Sequence, residues 1–223
     1  MGIALVLRAS GAVSHFRDAL VGAIGIAPGA ELLLCSGFFQ ENPTWRYKLS
    51  TEPDFFDGIV NNNINVIAVG CYNEVWRRQY INFVTALRGA GGTVDALSPV
   101  HEKWHAKISI IRRNDRPIFG VVGSSNLTGP AFGSLASPGF SGSFNWEADV
   151  ILWEDSEADV SGFMEEFLST RMQDVIRAPY IPEMNLGINL VEKLQGLWDD
   201  VIANTIPDPD LGPGGDPAPI IQP

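Results

Sequence analysis

Short apolar runs alternate with amphipathic stretches along the chain, a pattern that predicts strands and helices in turn. The apolar runs are bounded by turn residues and predict strands at residues 31–35, 63–72, 93–97 and 145–153. Apolar residues recur at helical spacing at residues 15–24, 74–88, 157–172 and 190–202. Residues 3–7 predict only a weak strand or a flexible lead-in. This order favours an α/β fold, an α/β/α sandwich around a mixed, largely parallel sheet.

Residues 105–126 predict a β-hairpin. Isoleucines fill the first arm at residues 108–111, and apolar residues fill the second arm at residues 118–122. The polar cluster at residues 114–117 between them has the composition of a turn. Antiparallel pairing of the arms would bring the start of the first arm beside the end of the second.

This pairing predicts a cluster of polar side chains at one end of the sheet. His105 and Lys107 share a strand face because successive residues of a strand point to opposite sides. They would face the loop of Gly123, Ser124, Ser125 and Asn126, which offers hydroxyl, amide and backbone donors. An imidazole beside an ammonium and such donors is suited to binding and attacking a phosphate.

The length of 223 residues fits one main domain, which we place at residues 1–175. Residues 176–205 are interpreted as a helical extension. Six prolines and three glycines fall within residues 206–223, which predicts a disordered tail. The start of the chain lacks a basic leader, and the sequence contains no long uncharged apolar run, so we expect a cytoplasmic protein that does not enter a membrane. Cys35 and Cys71 are expected to be buried free thiols.

The net charge of −11 is unusual for a protein that binds duplex nucleic acid alone, because phosphate neutralisation supplies most of that affinity. Either the basic residues concentrate on one face, or another subunit supplies the grip, or the substrate is not a long polyanion. The sequence shows only mild clusters of basic residues, near residues 77–78 and 112–116.

Three further features have two interpretations each. The aromatic stripe of the helix at residues 74–88 is favoured as core over a base-stacking platform. The glycine- and serine-rich segment 128–144 is either a loop beside the site or a plain surface connection. His15 is favoured as a surface or capping histidine over a catalytic one.

The polar cluster resembles a known motif. His105-x-Lys107, Gly123-Ser124-x-Asn126 and Asn145-x-Glu147 together resemble the phospholipase D superfamily, particularly its compact bacterial nuclease branch. The run Gly-Ser-Ser-Asn-Leu-Thr is similar to that of metal-independent nucleases and restriction endonucleases of this type. The likeness in element order extends over most of residues 1–175 but is specific only within residues 104–152. It implies a phospholipase D-like fold.

The sequence departs from the family pattern at one position. Arg112 stands where the family has an aspartate. Because that aspartate is regarded as more structural than chemical, the departure weakens the motif without removing its reactive groups. His101-x-Lys103 is a second, less favoured candidate for the motif, since no alternating strand follows it directly.

The resemblance implies a mechanism for this chain. His105 would attack a phosphodiester and form a phosphohistidine, and a histidine from a second copy of the motif would protonate the leaving oxygen. Lys107 and Asn126 would hold the nonbridging oxygens, with Ser124 as an auxiliary donor and Gly123 and Ser125 lining the substrate. Glu147 would bond the far nitrogen of the imidazole. We expect neither a metal nor another cofactor, and one full motif per chain implies a homodimer.

The resulting prediction is a metal-independent nuclease acting on DNA or RNA. A defence or restriction complex, in which an ATPase or DNA-binding subunit is the partner, would fit the acidic charge and the predicted tail. A phospholipase or phosphatidyl transferase of the same superfamily is one alternative. A non-catalytic scaffold that keeps the fold for oligomerisation is another.

Overall fold

The computed structural model describes residues 2–70, 73–100, 105–171 and 173–212. The strands are β1 (Gly2–Arg8), β2 (Glu31–Ser36), β3 (Asn65–Gly70), β4 (Thr93–Pro99), β5 (Lys107–Arg113), β6 (Arg116–Gly123), β7 (Glu147–Trp153), β8 (Val175–Pro179) and β9 (Thr205–Pro207). The α-helices are α1 (His15–Gly25), α2 (Phe55–Asn61), α3 (Glu74–Gly89), α4 (Gly129–Phe132), α5 (Ala158–Ser169) and α6 (Leu190–Ala203). Every strand and helix predicted from the apolar pattern is present, and α2, α4, β8 and β9 are additional.

The strands form one mixed sheet in the order β8-β1-β7-β6-β5-β2-β3-β4-β9. The prediction of a mixed α/β sheet is confirmed, but the prediction that it is largely parallel is wrong. Among the described strands only β2–β3 and β3–β4 pair in parallel. In both pairs a crossover helix, α2 or α3, connects the two strands, whereas the other six neighbouring pairs of described strands are antiparallel.

Helices cover both faces of the sheet unequally. Leu20 of α1, Phe83 of α3 and Met164 of α5 belong to the large core on one face. Leu194 and Trp198 of α6 belong to a smaller apolar cluster on the opposite face. Alternate residues of β2 enter the two clusters, as the two-residue period of a strand requires.

The predicted hairpin is formed by β5 and β6. Its turn contains Asn114 and Asp115, whose φ angles of 50° and 60° are both positive. A two-residue turn of this kind matches the twist of the strands, and Asn and Asp adopt positive φ more readily than most residues. The register pairs Ile108 with Val122 and shifts after Ile111.

Residues 175–212 contribute to the same sheet as the rest of the chain. Strand β8 pairs with β1 at one edge, and β9 pairs with β4 at the other. Asp208 is buried and bound by Arg77 of α3. Residues 206–212 are thus held against the sheet, which differs from the disordered tail predicted for residues 206–223; residues 213–223 lie outside the described residues.

The prediction that His15 lies at the surface is wrong, because this residue is only 4% exposed. Ser14 caps α1 by accepting a hydrogen bond from the Arg17 amide, and this places His15 at the first position of the helix. His15 Nε2 lies 3.3 Å from Asp174 Oδ2, while burial lowers the pKa of the imidazole.

Cys35 is buried, as predicted, whereas Cys71 lies outside the described residues. Within the described chain, no helix is long and apolar enough to cross a membrane.

Candidate active site

The register of four strands builds a row of residues at one end of the sheet. Ser36 of β2 pairs with Lys107 of β5, and Gly123 of β6 pairs with Asp149 of β7. Since Ile108 pairs with Val122, the same register continues to place Lys107 beside Gly123. The hairpin therefore brings Lys107 to the glycine-serine loop, as the sequence predicts.

Lys107 lies directly against His105. Its Nζ is 3.1 Å from both ring nitrogens of His105 and 2.9 Å from the His105 carbonyl oxygen. The His105 side chain is exposed, and the ring of Phe38 meets it edge to face at 5.6 Å between centroids. A solvent-accessible imidazole beside an ammonium is thus present at the sheet end.

The charge of Lys107 depends on its partly buried position. Burial lowers the pKa of the ammonium, while the negative charge of Glu147 and the thiol of Cys35 act in the opposite direction. Removal of the ammonium from water makes it a stronger partner for an anion that enters the site. This environment suits a cation that binds a phosphate oxygen.

Two carboxylates of β7 hold the loop that follows β6. The Ser124 hydroxyl donates to Glu147 Oε2 and accepts a 3.0 Å hydrogen bond from the Ala148 amide. The Ser125 hydroxyl donates to Asp149 Oδ2 at 2.6 Å. Because both serines are bound to one strand, the loop has a fixed position relative to the hairpin.

Asn126 is oriented by Ser36. The Ser36 hydroxyl lies 3.4 Å from Asn126 Oδ1 and also approaches the Leu127 amide at 3.5 Å. With its oxygen facing the hydroxyl, the Asn126 amide nitrogen has no hydrogen-bond acceptor among the described residues. This NH₂ group can donate to a phosphate oxygen.

Glu147 binds side chains of the loop and of the strand start, whereas the resemblance implies a bond to the imidazole of His105. Its Oε2 accepts from Ser124, and its Oε1 accepts from the Asn145 side-chain amide at 3.1 Å. Both oxygens thus have donors within the loop and the strand start. A bond from Glu147 to the imidazole of His105 stays a prediction.

Sequence analysis missed Asp149. It lies two residues after Glu147, on the same strand face, and is 3% exposed. Burial raises the pKa of this carboxyl, and the two hydrogen bonds from Ser125 oppose the shift. The available signal was the two-residue period of the strand, which places Asp149 on the same face as Glu147.

Arg8 is the second residue that sequence analysis missed. It ends β1 and pairs in register with Glu147. Its guanidinium is buried and donates to the carbonyl oxygens of Ala131 at 2.5 Å and of Gly133 at 2.6 Å. An arginine at the end of an apolar run was a weak signal, since its partners are more than a hundred residues away.

The segment 128–144 is anchored to the body of the protein and is not a plain surface connection. Besides the bonds from Arg8, the Gly129 amide donates to Gln40 Oε1 at 2.8 Å. The Ser137 hydroxyl donates to the buried Glu52 at 2.7 Å. The segment includes α4 and lies beside the loop that carries Asn126.

Most of the predicted basic clusters are engaged in ion pairs within the molecule. The pairs join Arg77 to Asp208 and Asp210, Arg112 to Glu31, Arg113 to Glu157 and Asp159, and Arg116 to Glu154. Arg112, which departs from the family motif, therefore has a structural partner. These arginines do not form the basic footprint that binding of duplex nucleic acid requires.

The aromatic stripe of α3 divides between core and surface. Tyr80 and Phe83 are buried, as predicted. Trp76 is only half buried and contacts Phe38 edge to face at 4.8 Å, so the preference for core is wrong for this residue.

Among the described residues, no group of three or more His, Cys, Asp and Glu side chains could hold a metal ion. The alternative motif His101-x-Lys103 lies outside the described residues.

No family model and no curated protein sequence matches this chain. Among solved structures, it is similar to yeast tyrosyl-DNA phosphodiesterase, with 13% identity and a TM-score of 0.45 over 70% of this chain and 47% of that one. It is also similar to phosphatidylserine synthase of Haemophilus influenzae, with 12% identity and a TM-score of 0.41 over 90% of this chain and 45% of that one. The chain spans about half the length of these structures, and likenesses at this level assign no activity or substrate to it.

Proposed function

We propose that the protein is a phospholipase D-type phosphodiesterase that cleaves nucleic acid through a phosphohistidine. The observation that carries the proposal is the contact of His105 with Lys107 beside the loop of Asn126, at the end of one sheet. A nucleophile, a cation and an amide donor at one exposed site suit phosphoryl transfer.

In the proposed first step, a ring nitrogen of His105 attacks the phosphorus of a phosphodiester. A nitrogen–phosphorus bond forms as the bond to the leaving oxygen breaks, and the leaving oxygen receives a proton from a second histidine. Lys107 and the Asn126 amide hold the nonbridging oxygens and stabilise their charge in the transition state. Water then attacks the phosphohistidine, releasing the phosphate product and regenerating His105.

The second histidine is proposed to come from another copy of this chain. The specific motif occurs once within the described residues, and a two-fold axis would bring two copies of His105 together. Mixing wild-type and His105→Ala chains tests this arrangement. Shared sites predict less activity than the wild-type fraction alone would give, whereas a fully active monomer would refute them.

The substrate is proposed to be DNA or RNA, with a partner such as an ATPase or a DNA-binding subunit in a defence or restriction complex. Support for a partner comes from charge, since the net charge is −11 and the arginines near residues 112–116 are paired internally. A partner that carries a basic surface would supply the affinity for a duplex.

The discriminating experiment supplies pure protein with single- and double-stranded DNA and RNA in the presence of EDTA. Cleavage that is lost in His105→Ala supports the proposal. A second candidate, phosphatidyl transfer, offers Lys107 and Asn126 the same phosphodiester oxygens. Release of headgroup from phospholipid vesicles, with no cleavage of any nucleic acid, would favour it and contradict the nuclease.

A further inference from the structure

Three aromatic side chains extend from His105 across the protein surface. The aromatic ridge comprises Phe38, after β2, Trp45, in the following loop, and Trp76, in the first turn of α3. Phe38 contacts His105 at 5.6 Å and Trp76 at 4.8 Å between ring centroids. Trp76 contacts Trp45 at 6.1 Å. All three contacts are edge to face, within the range in which aromatic pairs attract each other.

The ridge becomes more exposed with distance from His105. Phe38 and Trp76 are half buried, and Trp45 is 41% exposed. The three rings are not part of the large hydrophobic core, which contains the buried aromatic residues Phe39, Tyr80 and Phe83. A continuous aromatic surface that starts at the nucleophile is placed to contact the substrate on one side of the scissile bond.

The charge distribution indicates which substrate can use this surface. Arg77 lies next to Trp76 in sequence, but its guanidinium is bound by Asp208 and Asp210. With a net charge of −11, the chain gains little from general attraction to phosphates. The affinity that this chain itself contributes for a nucleic acid must then come from a contact that does not depend on charge.

Stacking of bases on aromatic rings is such a contact. It tolerates any sequence because each base has a flat face, but it requires bases that are not already stacked in a duplex. We propose that the aromatic ridge stacks unpaired bases of a single-stranded nucleic acid whose phosphodiester lies at His105. This inference rests on the proposed function and specifies its substrate as single-stranded.

The test measures binding with the full-length His105→Ala chain, so that no substrate is consumed. The probes are a labelled oligothymidylate, an abasic oligonucleotide with the same number of phosphates, and a duplex of equal length. We expect the oligothymidylate to bind about 10-fold tighter than the abasic strand and the duplex. Adding Trp45→Ala should remove this difference, whereas Trp45→Phe should retain part of it.

Val75→Ala provides the matched control. Val75 precedes Trp76 in α3 and is 74% exposed, but it is not part of the aromatic ridge. Its truncation should leave the preference for the oligothymidylate unchanged. Equal binding of the abasic strand and the oligothymidylate, or no binding of either, would overturn the inference. It would also be overturned if Trp45→Ala weakened binding to phospholipid vesicles and left binding to the oligonucleotides unchanged.

A second assay shows whether the base-stacking proposal or the phosphodiesterase proposal has failed. Hydrolysis of bis(p-nitrophenyl) phosphate by the wild-type chain, lost in His105→Ala, would uphold the phosphodiesterase even if base stacking were absent. The same hydrolysis should change little in Val75→Ala, since Val75 is not part of the aromatic ridge.

Discussion

Ser125 and Asp149 are joined by two hydrogen bonds, one from the Ser125 hydroxyl at 2.6 Å and one from its amide at 3.1 Å. Together with the bond from Ser124 to Glu147, this connection fixes the loop that carries Asn126 to strand β7. The position of the proposed phosphate donors thus depends on two carboxylates that bind the loop. We call Glu147 and Asp149 positioning residues for this reason.

Asp149 should make the stability of the protein depend on pH in a specific direction. Burial raises the pKa of its carboxyl, so the unfolded chain ionises at lower pH than the folded one. Stability is therefore lost as the pH rises from the ordinary aspartate range through the folded pKa. Relative to Asp149→Asn, wild type should be more stable at about pH 4 than at about pH 8. Urea unfolding of both proteins measures the difference, and an opposite trend would refute the assignment.

Gly123→Ala should disrupt the site. An alanine Cβ at this position would lie 2.0 Å from Asp149 Oδ1 and 2.6 Å from Asp149 Cα, so the strands would have to separate. We expect a loss of about 1–3 kcal/mol in unfolding free energy, together with loss of activity. Gly162→Ala in α5 is the control, since no atom other than those of its chain neighbours and the nearby helix backbone lies within 4 Å of its Cβ, and it should stabilise by roughly 0.5–1 kcal/mol. Equal effects of the two changes would contradict the packing described.

Arg8→Met should weaken the segment 128–144. It removes two hydrogen bonds from a buried guanidinium to the carbonyl oxygens of Ala131 and Gly133, at a cost of about 2–3 kcal/mol. Faster hydrogen exchange in this segment, measured by mass spectrometry, should accompany the loss. Arg177→Met is the comparison because its pair with Glu165 is exposed, and little change is expected there. Unchanged exchange in Arg8→Met would refute the role of Arg8.

Lys107 should set the alkaline limit of activity. Burial lowers the pKa of its ammonium, so the charge that holds phosphate is lost at lower pH than in a free lysine. We expect kcat/KM to decline at a pH below the range in which an ordinary lysine loses its charge. Lys107→Arg should remove this decline while lowering the rate, because guanidinium places its donors differently. An identical decline in Lys107→Arg would assign it to another group.

Local signals were sufficient to predict the hairpin and its polar cluster. The apolar arms, the polar turn and the two-residue period of strands are all encoded within residues 105–126. The convergence of Lys107 with the glycine-serine loop followed from these alone. Helices α1, α3 and α6 were predictable for the same reason, through the helical spacing of their apolar residues.

The pairing of the edge strands and the long-range contacts that support the site could not be predicted from local signals. Strands β8 and β9 depend on pairing with β1 and β4, far away in sequence, and are only five and three residues long. Arg8 binds carbonyl groups more than a hundred residues away, and Arg77 binds Asp208 in the predicted tail. Such contacts are properties of the folded chain rather than of any local pattern.

The central claim is that His105 forms a covalent bond to phosphorus. The most direct measurement is the intact mass of the protein after brief reaction with an oligonucleotide in EDTA and quenching at alkaline pH, where phosphohistidine survives. The account predicts an added mass equal to one cleaved fragment on wild type, mapped to the peptide that contains His105, and none on His105→Ala. Cleavage without any adduct, or an adduct that persists in His105→Ala, would contradict it.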